Sequence, residues 1–150
     1  MRKLPSVVFA AYLGLTGWVT PADAGLLSAT GKVIAILAGD LFVGEAVGHL
    51  SGAGTLAIHS LKNPALTCHG QFTSSAALGG AGQMQCSDGA TATFSFKRLD
   101  IFRGHGVGSF SRGAMTFAYG LTAEEAGPYL ALPGGKGLSG SGTELALVDL

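Results

Sequence analysis

Apolar and polar positions alternate in short runs along most of this chain, with a period of two rather than 3.6. The clearest run is Ala90 to Leu99, where Ala92, Phe94 and Phe96 alternate with Thr91, Thr93 and Ser95. In a strand this puts the rings on one face and the hydroxyls on the other. Met115, Phe117 and Tyr119 repeat the pattern against Thr116 and Ala118, and Leu56 and Ile58 face away from Ala57 and His59. Val33 to Ala38 is a continuous apolar run, long enough for a buried strand and short for a helix. Leu41 to Leu50, Leu66 to Thr73, Gly82 to Cys86 and Arg103 to Phe110 complete a predicted meander. Turn residues punctuate it at Ser51-Gly52-Ala53-Gly54 and Lys62-Asn63-Pro64.

The period changes once. Thr122-Ala123-Glu124-Glu125 is a capping-box pattern, with Thr122 as N-cap and Glu125 at the third helical position. It predicts a short helix to about Leu130, shortened by Gly127-Pro128 and ended by Pro133-Gly134-Gly135. Beyond it, Leu138 to Gly142 reads as mobile, and Glu144 to Leu150 as a last strand or a frayed end. The expected fold is therefore all-β: a small antiparallel up-and-down barrel or sandwich of seven or eight strands, with one short C-terminal helix.

The first 24 residues read differently. Arg2 and Lys3 precede an apolar run from Val7 to Val19, and Ala22 and Ala24 fit a signal-peptidase site. The expected layout is a signal peptide over 1–24 and a single domain over 25–150. The apolar run is too short to span a bilayer comfortably. The expected location is the periplasm or the exterior, with no membrane span after cleavage. Residues 25–150 carry seven basic and eight acidic side chains, a net charge of −1. No strong global field is present to collect nucleic acid.

Glycine changes the picture further, with 25 residues in 150 and no triplet period. Spread among short β-branched runs, it implies tight turns and a strongly bent sheet. Gly52-Ala53-Gly54, Gly80-Ala81-Gly82 and Gly104-His105-Gly106 each open a strand after a turn. The echo is loosely similar to membrane-occupation-and-recognition-nexus repeats, without their aromatic-x-Gly-Glu element. It is read as shared hairpin physics: small residues at strand starts are what a bent sheet needs.

Cys68 and Cys86 are the only cysteines. In an oxidising compartment an even count favours a disulfide. They flank a Gly-rich middle that predicts a hairpin, and pairing 68 with 86 centres its turn on Ala77. The alternative, a redox or metal pair, lacks a C-x-x-C. Ser87-Asp88-Gly89 then fits a three-residue loop that sets Met84 opposite Ala92. A two-residue Asp88-Gly89 loop would instead place Gln83 and Gln85 with the phenyl rings, against core logic.

Gly44 to Leu121 resembles small exported proteins of Gram-negative bacteria. The likeness is carried by Gly52-Ala53-Gly54-Thr55-Leu56, Cys68-His69-Gly70-Gln71-Phe72, Cys86-Ser87-Asp88-Gly89, Phe94-Ser95-Phe96, Gly104-His105-Gly106-Val107-Gly108 and Phe117-Ala118-Tyr119-Gly120. It implies an envelope protein with a paired disulfide and no catalytic residues to carry over.

Candidate chemistry is sparse. His59, His69 and His105 could meet at a metal if the strands curl together, but neither they nor His49 show H-x-H or H-E-x-x-H spacing. Surface or satisfied histidines are the preferred reading, and no cofactor is expected. There is no G-x-S-x-G elbow. Glu124 and Glu125 are adjacent on the predicted helix and point about 100° apart, so they read as helix N-terminal acids and not as an acid/base pair. Lys97, Arg98, Arg103 and Arg112, with the apolar Ile101 and Phe102 at a predicted loop, form a candidate contact for anionic lipid or a partner. The competing reading is a solvated edge that discourages strand pairing. The expected function is a binding or structural module for a lipid, cell-wall component or protein partner. The alternative is a metal-binding protein or hydrolase built from scattered His and acidic residues such as Glu45, Asp88 and Asp100.

Overall fold

The computed structural model describes residues 28–75 and 78–150. The expected leader, its cleavage junction and the Ala76-Ala77 turn centre lie outside the described residues. Eight strands follow one another as β1 (Ser28–Leu37), β2 (Asp40–His49), β3 (Ala53–Ser60), β4 (Thr67–Ser75), β5 (Gly79–Cys86), β6 (Thr91–Arg98), β7 (Gly104–Phe110) and β8 (Gly113–Tyr119). Each pairs antiparallel with the next, and β8 returns to β1 with Ala35 opposite Phe117, so the sheet closes into a barrel. Over Val33–Leu37 closure gives β1 a partner on both sides.

The alternation in the sequence becomes an inside and an outside. Phe94 and Phe96 of β6, Phe117 of β8 and Leu56 and Ile58 of β3 are buried in the interior cluster. Thr91, Thr93 and Ser95 of β6, Gln71 of β4 and Gln83 and Gln85 of β5 are exposed. The outer face is thus polar over most strands, where a bilayer-spanning barrel carries an apolar band. Among the described residues no helix is long and apolar enough to cross a membrane.

Strand β1 is apolar on both faces for a reason the fold supplies. Val33, Ala35 and Leu37 belong to the interior cluster. Ile34 and Ile36 form a second cluster with Ala118 of β8 and with Leu121, Ala126, Leu130 and Leu145. The chain after β8 therefore lies against the outside of the barrel over β1 and β8. Helix α1 (Ala123–Ala126) carries the expected capping box: the Glu125 amide donates to the Thr122 hydroxyl and the Thr122 amide to the Glu125 carboxylate. It continues as a 3-10 turn over Gly127–Tyr129 that contains Pro128. The segment expected to be mobile is partly ordered. β9 (Lys136–Ser139) pairs with β10 (Ala146–Asp149) in a separate two-stranded ribbon, with Leu138 and Leu147 packed against the second cluster. Those apolar contacts are long-range, which is why local composition does not reveal them.

The two ends of the barrel differ. At one end Cys68 of β4 and Cys86 of β5 are direct partners and are bonded to each other. Ser87-Asp88-Gly89 forms the expected loop, with Gly89 at φ +89° and the Cys86 amide bonded to the Ala90 carbonyl at 2.8 Å. Met84 faces Ala92, as core logic requires. Ala38 and Gly39, at φ +48° and +85°, make the tight β1–β2 turn at this end. Met115, Phe110, Leu37 and Phe42 fill the interior here.

Candidate ligand site at the barrel mouth

The opposite end is open. It is reached by the starts of β1, β3, β5 and β7 and by the ends of β2, β4, β6 and β8. A cavity of about 790 Å³ enters the barrel there, within the roughly 300–1,000 Å³ usual for small-molecule sites. Two kinds of wall enclose it. On β1 and β2 the inward positions are Ala29, Gly31, Ala46 and Gly48, with Val33 below them. Across from them stand Phe72, Phe94, Phe96, Phe117 and Tyr119.

The aromatic wall explains the repeated Gly-x-Gly. A Cβ on Gly54 would lie 2.1 Å from the Phe72 ring, on Gly82 2.6 Å from Phe94, and on Gly106 2.4 Å from Phe117. A Cβ on Gly104 would lie 2.3 Å from the Tyr119 hydroxyl. Each ring therefore lies across a glycine of the neighbouring strand, which is how a tightly curved sheet covers its exposed backbone. Phe72 meets Phe96 edge-on at 5.5 Å, and Phe96 meets Tyr119 in the same manner at 5.8 Å. On the other wall the glycines are free of such contacts. A Cβ on Gly48 would meet nothing within 4 Å, and one on Gly31 nothing nearer than 3.8 Å. The hollow therefore lies against β1 and β2.

Three hairpin tips ring the mouth. Leu50, Leu78, Leu99, Ile101 and Phe102 sit on them, and all five are exposed, from 46% for Leu99 to 82% for Leu78. The turns of the disulfide end carry no large exposed apolar side chain among the described residues.

Arg98 ends β6 at this rim. Its guanidinium donates to the Ser74 hydroxyl at 2.8 Å and to the Ile101 carbonyl at 3.1 Å, tying the end of β4 to the β6–β7 tip. Its Nε and the Tyr119 hydroxyl are the buried side-chain polar atoms without a hydrogen-bond partner among the described residues. Burial pushes the Tyr119 phenol above its ordinary range, with the charge of Arg98 acting in the opposite direction. Asp100 holds the tip itself: it accepts from the Phe102 and Arg103 amides and pairs with the Arg103 guanidinium at 2.6 Å. That guanidinium, with the two amides, keeps the Asp100 carboxyl below its ordinary range.

The structure thus brings Arg98, Ile101, Phe102 and Arg103 together at the mouth, with Lys97 exposed on the outer face of β6 beside them. Arg112 is elsewhere. It lies at the disulfide end, paired with Asp88, whose carboxyl is lowered first by the Ala90 amide and also by Arg112. His59 and His69 lie on adjacent strands on the outer face, while His105 stacks on Tyr129 at 4.0 Å. No group of three or more His, Cys, Asp or Glu is placed to hold a metal ion among the described residues. Glu45 of β2 stands opposite Lys32, and Asp88 and Asp100 occupy opposite ends of the barrel. The residues that sequence reasoning missed are Tyr119 as a polar group, Gly31 and Gly48 as open wall, and Leu50 and Leu78 as rim. Their strand-end positions gave the only available signal. No protein-family model, curated protein or solved structure matches this chain.

Proposed function

We propose that this chain is an exported, non-enzymatic binding module of the cell envelope whose barrel mouth takes up an apolar, lipid-class molecule. The observation that carries this reading is the cavity of about 790 Å³, apolar along most of its wall and open through an apolar rim. An exposed apolar ring around a concave site is the kind of surface that marks binding. The disulfide is consistent with an oxidising, exported location. The polar outer face supports a barrel that works in water and presents only its mouth to apolar partners.

The test is native mass spectrometry of protein purified gently from the periplasm, followed by titration with N-phenylnaphthylamine, a neutral apolar fluorophore. A retained lipid-like mass, or saturable fluorescence at one equivalent, supports the reading. Bare protein that also fails to enhance the fluorophore overturns it.

A further inference from the structure

The mouth cavity is not uniformly apolar: Ser74, Arg98 and Tyr119 line one side of it, and Thr30 and His49 the other. Arg98 and Tyr119 both line it, and the Arg98 Nε and the Tyr119 hydroxyl are buried beside it without a hydrogen-bond partner among the described residues. Nε–H can only donate, and a phenol held in its neutral form donates readily. Two donors match an acceptor with negative charge: the Arg98 cation is in no ion pair among the described residues, although Asp100 also lines the cavity. Asp100, the nearest carboxylate in sequence, is engaged by Arg103 and the tip amides. Below Arg98 the wall continues to Phe94, four residues and roughly 13 Å down the strand. Across from it lies the open face at Gly31 and Gly48.

We infer that the site takes a single-chain amphiphile with an anionic head, the head seated on Arg98 and Tyr119 and the acyl chain lying in the hollow against β1 and β2. This deepens the binding reading above and rests on it. A carboxylate and a phosphate monoester share the required chemistry.

The experiment compares cis-parinaric acid, a fluorescent fatty acid, with its methyl ester. The acid is expected to bind about tenfold or more tightly than the ester, the scale of a hydrogen bond to a charged group. Arg98→Gln should bring the acid-to-ester affinity ratio close to one. Tyr119→Phe should lower the acid-to-ester affinity ratio severalfold. Palmitate or palmitoyl lysophosphatidate should displace the bound acid, the better of the two identifying the head as carboxylate or phosphate, whereas hexadecanol should need about tenfold more. Equal binding of acid and ester, or equal displacement by hexadecanol, would overturn the anionic head while leaving the apolar site standing. Failure of both probes to bind would overturn the binding reading itself. If Arg98→Gln does not fold, the acid-to-ester ratio of the unaltered protein and the Tyr119→Phe variant still decide.

Discussion

The two ends of this barrel are built from the same alternating strands and yet do opposite things. At the disulfide end the interior positions hold Leu37, Phe42, Met115 and Phe110, and a covalent bond joins β4 to β5. At the mouth the interior positions of β1 and β2 shrink to Gly31, Ala46 and Gly48, and the bulk moves outward to Leu50, Leu78, Ile101 and Phe102. Filling an eight-stranded barrel takes large side chains at most inward positions. Where one wall gives them up, a cavity follows. Bulky packing and the covalent cross-link are thereby concentrated at one end, and the hollow lies at the other.

The largest effect expected from breaking this contrast is loss of the staple. Cys68→Ala with Cys86→Ala removes a bond spanning 18 residues, and urea unfolding should register a loss of about 3 kcal/mol. Ligand-probe affinity measured well below the unfolding midpoint should change little, since the bond lies away from the mouth. Next come the glycines of the two walls. Gly106→Ala forces a Cβ against the Ser95 carbonyl and the Phe117 ring, at 2.3 and 2.4 Å, and should cost roughly 2 kcal/mol. Gly48→Ala, in open space, should stay within about 0.5 kcal/mol of the parent. Equal losses would mean that the β1–β2 wall is packed after all. At the disulfide end, Ala38 occupies a left-handed turn position at φ +48°. Ala38→Asn should raise stability by roughly 0.5 kcal/mol in the same assay.

The smallest effect is a pH dependence. Burial raises the Tyr119 phenol, so the unfolded chain releases this proton first as the pH climbs. The stability tied to the neutral phenol is fully present below the unfolded value of about 10 and is lost as the pH rises through the higher folded value. Urea midpoints on the alkaline side should fall less steeply in Tyr119→Phe. Parallel profiles for the two proteins would place the hydroxyl in water.

How much of this was legible in the sequence follows the range of the interactions. Ala92, Phe94 and Phe96 announce both the strand and its inward face, because alternation is local. The three-residue loop after Cys86 fixes the Met84–Ala92 register, because turn geometry is local too. The capping box at Thr122 and Glu125 was readable for the same reason. Closure of β8 onto β1 is a property of the whole sheet, so the sequence left barrel and sandwich equally open. Arg112 reads as a neighbour of Arg98 and Arg103 along the chain, but β7 carries it to the far end. Tyr119 reads as one more ring in an alternating face. Only its position at the mouth, across from Gly104 and near Arg98, makes its hydroxyl a candidate contact. The hollow itself was illegible, since Gly48 and Gly106 look alike until their neighbours are known.

The most direct test of the central claim is N-phenylnaphthylamine binding by the parent protein and by Gly48→Phe, each with its unfolding midpoint. The new ring enters space that no atom occupies within 4 Å of the first added carbon. The account predicts saturable binding by the parent, binding reduced at least about tenfold in Gly48→Phe, and midpoints that agree closely. Undiminished binding by a folded Gly48→Phe would contradict it, because the fluorophore would then occupy some place other than the hollow at the mouth.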